Sequence, residues 1–295
     1  MRNPGKAPTP QAPTPKEPTP KAPAPGGPKP HWLGALLYVP VLYGVGWLLS
    51  RPLALLVPSL RGDQVDLIGA LLALILLLAS LPWRLRAGLA VTEPWRFVGL
   101  VGPPGRIGAT WLRGALKAAT LLAVVVLGLL LAGAARWGGL QGLTGAEILN
   151  ALALAVGVGF AEELVFRGWL WAELGERLGR RQALWGQALL FGLVHPWWRL
   201  PGLAGAALLA GLILLGLVLG LQRRADGGAL WGAMGLHGGL VGGWFALQAG
   251  PLVLAASGPE WLVGAAGAGG ANPIGGAIGW LALGGLALLR RRWWA

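Results

Sequence analysis

Cysteine is absent from all 295 residues. This excludes disulfides, thiol catalysis and cysteine-ligated metals, and leaves the compartment open. Charge is scarce too: Asp, Glu, Lys and Arg make up only 12% of the chain, and there are three histidines. The length would allow two soluble domains. Instead, 55% of the residues are apolar, in long uncharged runs of Leu, Ala, Gly and Val. That composition reads as an all-α, polytopic helical membrane protein. The 51 glycines fit helices that pack through small side chains in lipid. The formal charge of +13 would point a soluble protein towards nucleic acid. Here the basic residues gather at the ends of apolar runs, so the positive-inside rule accounts for them and no nucleic-acid partner is expected.

Residues 1–30 repeat Pro, Ala, Thr and Lys and have nothing to bury, so they read as a disordered, cytoplasmic Pro-rich tail. No apolar core appears before Trp32, so a signal peptide is not expected. Apolar runs long enough to span, or nearly so, lie near 32–50, 64–83, 115–135, 149–173, 183–199, 203–221, 229–249 and 274–289. About eight transmembrane helices follow, with 84–114 as a cytoplasmic, interfacial segment. The expected divisions are the tail, N-terminal helices over 31–148, a core over 149–250, and a last loop and helix over 251–295. Arginine and lysine bias places both termini inside, in the plasma membrane of a bacterium, with the lipid bilayer as first partner.

The fourth run contains Glu162, Glu163 and Arg167. A charge near the bilayer centre costs about 2.5–3.5 kcal/mol on insertion scales, so three within six residues need a reason. Glu163 and Arg167 stand four apart and stack on one helix face. Glu162 lies about 100° round the helix and is left for another purpose. The fifth run carries Phe191 and His195, the seventh His237 among glycines, and the third histidine, His31, lies beside the tail. A lone histidine in such a helix is more often a packing residue. Two carboxylates and two histidines on three runs are the inventory of a water-activating site.

These motifs resemble the CPBP intramembrane proteases, which include type II CAAX prenyl endopeptidases and Abi-type bacteriocin-immunity proteins. E-E-x-x-x-R is matched by Glu162, Glu163 and Arg167, and F-x-x-x-H by Phe191 and His195. The small residues from Gly216 to Gly228 followed by His237 match the third motif. The resemblance covers roughly 149–250. It implies a helical membrane endopeptidase acting on a membrane-associated or lipidated peptide or protein. Glu162 and His195 would activate water, His237 would face the oxyanion, and Arg167 would orient Glu163. It leaves two routes open: one divalent metal such as Zn²⁺ held by Glu162, His195 and His237, or a glutamate-dependent mechanism without metal. Where the family often has Asn or Asp, four residues after the last histidine, this chain has Val241. Asn150, Gln187 or a backbone amide are then the candidate substitutes.

Other readings stay open at this level. One is a catalytically weak, immunity-type scaffold, which Val241 and the tail favour. Another is a proton- or cation-coupled transporter, although the halves show no inverted symmetry. A buried ion pair that merely fixes register explains Glu163 and Arg167 but not Glu162. Depth adds one condition: for Glu162 and His195 to meet, the fourth helix should enter near Asn150 or later and end towards Glu173.

Overall fold

The computed structural model describes residues 32–255, 259–267 and 270–294. The tail expected over residues 1–30, and His31, lie outside the described residues. The structure is 79% helical. In chain order, α1 (Trp32–Leu56), α2 (Gly62–Leu89), the short α3 (Pro94–Phe97) and α4 (Pro104–Leu131) lead to strand β1 (Ala135–Trp137). Next comes one long rod of α5 (Gly145–Glu163), a π-helical stretch (Leu164–Leu170) and α6 (Trp171–Leu178). Then follow α7 (Arg180–Val194), a 3-10 turn (Trp197–Arg199), α8 (Gly202–Ala225), α9 (Trp231–Gln248) and strand β2 (Leu252–Leu254). The chain closes with α10 (Glu260–Val263), strands β3 (Ala266–Gly267) and β4 (Gly270–Ala271), a 3-10 turn (Pro273–Gly275), α11 (Ala277–Leu289) and a 3-10 turn (Arg291–Trp293). The all-α expectation thus needs two small additions, the antiparallel pairs β1–β2 and β3–β4.

Each expected apolar run carries a helix. Among the described residues, five segments are long and apolar enough to cross a membrane: α1, α2, α4, the rod from Gly145 to Leu178, and α8. At 15 and 13 residues, α7 and α11 are shorter. The large exposed side chains include Leu55, Leu67, Leu131, Leu203 and Leu281, an apolar exterior suited to lipid.

Several boundaries move from their expected places. Most of 84–114 is helical, because α2 runs on to Leu89 and α4 already starts at Pro104. Proline at N1 is preorganised for a helix and needs no N–H there, so Pro104 starts α4 well ahead of its apolar run. The fourth helix begins before Asn150, at Gly145, with Thr144 as N-cap accepting from the Glu147 amide at 3.2 Å. It ends beyond Glu173, at Leu178. Gly179 then turns the chain in the left-handed region, at φ 82°, a conformation glycine adopts without cost.

Helix α8 is buried without a break from Leu215 to Arg223, and this half forms the centre of one core with Leu184, Phe191 and Leu236. A helix apolar on every side belongs there. α9 lies between α4 and α5 at backbone contact. A Cβ at Gly235 would collide with the Trp111 carbonyl, and one at Gly238 with the Ala155 carbonyl. Small residues therefore set these spacings. Basic residues collect at one end of the bundle, with Arg84 and Arg86 on α2, Arg177 on α6, Arg223 and Arg224 on α8 and Arg290 after α11. Arg84–Glu173, Lys117–Gln222 and Arg290–Gln222 contacts tie those helix ends together.

Candidate active site

The hairpin around Gly179 sets the level of the site. Glu162 stands 17 residues before Gly179 and His195 stands 16 after it, so antiparallel arms bring both to one height, about 24 Å from the turn at 1.5 Å per residue. The depth condition drawn from the sequence placed the turn elsewhere, and the longer fourth helix removes it. The π-helical stretch lies directly after Glu163 and contains Arg167. Such wide turns occur often at functional sites.

Glu163, Arg167 and His237 form a buried set. Arg167 Nη1 donates to Glu163 Oε1 at 2.9 Å, and His237 Nδ1 contacts the same oxygen at 2.9 Å. A carboxylate only accepts, so Nδ1 carries the proton and His237 Nε2 is turned to Glu162 Oε2, 3.9 Å away. His195 Nδ1 lies 2.6 Å from the Phe191 carbonyl and donates to it. Its Nε2 then faces Glu162 Oε2 at 3.5 Å. Among the described residues, Glu162 Oε2 is buried and receives no hydrogen bond.

Phe191 packs at the centre of these groups. Its ring centroid is 4.4 Å from that of His195 and 5.7 Å from that of His237, with the Arg167 guanidinium 4.4 Å over its face. A cation over a ring face is attracted by its quadrupole. Arg167 Nη2 also donates to the Gly216 carbonyl at 3.1 Å, which accepts from Gln187 Nε2 at 3.0 Å. α8 comes that close because Gly216 is bare: a Cβ there would sit 2.9 Å from Ala188 Cα. On the other side, Arg223 donates to the carbonyl of Arg167 and, at 3.3 Å, to that of Val98.

Accessibility divides the set in two. The side chains of Glu162 and His195 are 31% and 25% exposed, whereas Glu163 is 0% and His237 4% exposed. Glu162 and His195 line a cavity of about 610 Å³ between α1, α2, the rod and α7, whose walls include Leu36, Val39, Leu77 and Phe166. That cavity is apolar apart from its carboxylate, imidazole and a few polar tips. The pair α1–α2 is held to the rod by a buried contact, Arg84 to Glu173 at 2.7 Å, with Trp169 Nε1 donating to Glu173 at 3.2 Å.

All five residues singled out from the sequence are thus within one cluster. The candidate substitutes for an oxyanion donor are not: Asn150 is exposed, and the Gln187 amide is spent on Leu184 and Gly216 carbonyls. Val241 lines a separate apolar cavity with Leu121, Leu215 and Trp244. No group of three or more His, Cys, Asp or Glu among the described residues is spaced to hold a metal ion; the nearest to one is Glu162 Oε2 with the two imidazole nitrogens at 3.5 and 3.9 Å. Three contributors were missed: the Gly216 carbonyl, Arg223, and the Arg84–Glu173 pair. Buried charge near helix ends was the only available signal for the last two.

The fold and site define a helical membrane protein with a carboxylate–imidazole centre open to an apolar cavity. Residues 144–242 match the family model described as type II CAAX prenyl endopeptidase, Rce1-like. This stretch is thereby similar to CAAX-type intramembrane proteases. Residues 13–91 match a second model, a domain of unknown function (DUF8676). No curated protein and no solved structure matches the chain.

Proposed function

We propose that this protein is an intramembrane endopeptidase whose water is activated between Glu162 and His195. The observation that carries the reading is the approach of Glu162 Oε2 to two imidazole nitrogens, at 3.5 and 3.9 Å, on the wall of an apolar cavity. Glu162 and neutral His195 present acceptors to each other across a gap longer than a direct hydrogen bond. A water suits that gap, because it offers two donors. Glu162 takes one proton as the water oxygen bonds to the scissile carbonyl carbon, then returns it to the leaving nitrogen as the C–N bond breaks. His237 donates to the oxyanion from Nε2, which requires the imidazolium form because Nδ1–H is given to Glu163. Arg167 balances the charge of Glu163 and holds it in place.

The substrate is a membrane-associated or lipidated peptide entering from the side of α1 and α2, where the cavity walls are apolar. Eight spans with both termini cytoplasmic, in a bacterial plasma membrane, fit eight apolar helices and an excess of basic residues at one end over the few at the other (Arg51, Arg61, Arg136 and Arg199). The catalytic core is the segment 149–250. A second reading, a catalytically weak scaffold, is favoured by one observation: Val241 offers no donor and faces another cavity.

The test compares protein N-termini and membrane peptides from cells with wild type or Glu162→Gln at matched expression. A set of termini that vanishes in the variant is expected, and names the substrates. Identical profiles from a folded, membrane-inserted variant would sink the peptidase in favour of the scaffold.

A further inference from the structure

A second polar cluster lies at the basic end of the bundle, away from the carboxylate–imidazole centre. Gln222, on the last turns of α8, is 1% exposed, and its Oε1 accepts from Lys117 Nζ of α4 at 2.8 Å and from Arg290 Nη2 after α11 at 3.4 Å. Its Nε2 donates to Asp226 Oδ2 at 2.6 Å, and Asp226 Oδ1 meets Arg113 Nη2 at 3.3 Å. Three cations, two from α4 and one from the end of α11, therefore converge on one carboxylate and one neutral amide. An amide oxygen can orient Lys117 and Arg290 but neutralises neither. Lysine brings three donors and arginine five, so the bonds to Gln222 use only part of that capacity, and both residues are partly exposed. Arg291 and Arg292 follow at exposed positions.

The neighbouring surface is apolar. Leu112 and Leu116 on α4 are 53% and 58% exposed, and Leu288 and Leu289 on α11 are 67% and 80% exposed. Excess positive charge at the foot of an exposed leucine face fits an amphiphile, with its anion at the cations and its chains along the helices. We propose that Arg113, Lys117 and Arg290 bind the phosphate of an anionic lipid headgroup, with Gln222 and Asp226 as the buried base of the site. This rests on the membrane-spanning reading and is independent of the peptidase.

The full chain in neutral detergent is titrated with phosphatidylglycerol and, separately, with phosphatidylcholine, and retained lipid is counted by native mass spectrometry. Each cation near an anionic surface contributes about five-fold in partition, so the Lys117→Gln/Arg290→Gln variant should lose roughly 10- to 30-fold of the phosphatidylglycerol preference. Lys117→Arg keeps the charge and should keep the preference, which separates loss of binding from loss of fold. Equal retention of both lipids by wild type, or an unchanged preference in the double variant, would overturn the site. Displacement of phosphatidylglycerol by inorganic phosphate would assign it to free phosphate and overturn the lipid. Persistence of the lipid against phosphate is the expected result.

Discussion

Glu163 Oε1 accepts from Arg167 Nη1 and from His237 Nδ1, each at 2.9 Å. One buried oxygen thus fixes a side chain of its own rod and one of α9. Glu162, its neighbour, touches neither atom and faces the cavity.

This division separates stability from chemistry. Glu163→Gln leaves Arg167, which is 0% exposed, as an unpaired buried cation, a change that costs about 3–5 kcal/mol. Glu162→Gln should cost less than about 1 kcal/mol yet abolish cleavage. Thermal unfolding of both variants in one detergent checks this. Equal losses of stability would show that the two carboxylates do the same work.

The latch between α2 and α6 should behave as a buried pair. Arg84→Met leaves Glu173, which is 2% exposed, with only the longer Arg177 contact at 3.9 Å and the Trp169 donor, and should destabilise by about 3 kcal/mol. Arg84→Met/Glu173→Leu removes both charges and should recover most of that loss. A double variant as unstable as the sum of the singles would contradict the pairing.

Close approach of α7 and α8 predicts that Gly216→Ala is harmful although alanine favours helix. The added methyl meets Ala188 at backbone distance, and overpacking costs about 1–3 kcal/mol. Since Arg167 and Gln187 both hold the Gly216 carbonyl, cleavage should fall beyond what stability explains. An unchanged melting temperature and rate would refute the packing argument.

Val241→Asn introduces the polar residue type expected at this position from the resemblance, but here it enters an apolar cavity. We expect a loss of about 1–3 kcal/mol from an unsatisfied amide and no gain in rate. A rise of ten-fold or more in cleavage would show that Asn at this position reaches the oxyanion.

A mechanism carried by Glu162 and His195 without a metal predicts that cleavage by the reconstituted protein survives o-phenanthroline. Loss of cleavage, restored by Zn²⁺, would assign Glu162 and the two imidazoles to a metal instead.

Much of this site was readable because charge is so rare in the chain. Glu162, Glu163, Arg167, His195 and His237 stood out as rare polar groups deep in three apolar runs, and all five meet. What could not be read has a common cause in distance along the chain. Arg84 and Glu173 are 89 residues apart, and nothing local announces their contact. The walls contributed by α1 and α2 are mostly ordinary leucines and alanines, identical in pattern to lipid-facing ones. Helix limits were missed where polarity and helicity disagree, as from Pro104 to Gly114, because hydropathy tracks the membrane and not the hydrogen-bond ladder. The start at Gly145 was available in Thr144 and Glu147, three apart, a helix-start signature.

The nearly equal arms on either side of Gly179 make the hairpin a ruler with its zero at the turn. Inserting one residue in a single arm would rotate everything beyond it by about 100° and shift it by about 1.5 Å, parting Glu162 from His195. Length changes in such chains must therefore come in matched pairs, or be absorbed by a wider turn such as the one from Leu164 to Leu170. Shortening a loop elsewhere carries no such constraint, so tolerance to insertion and deletion maps which parts of the chain measure distance.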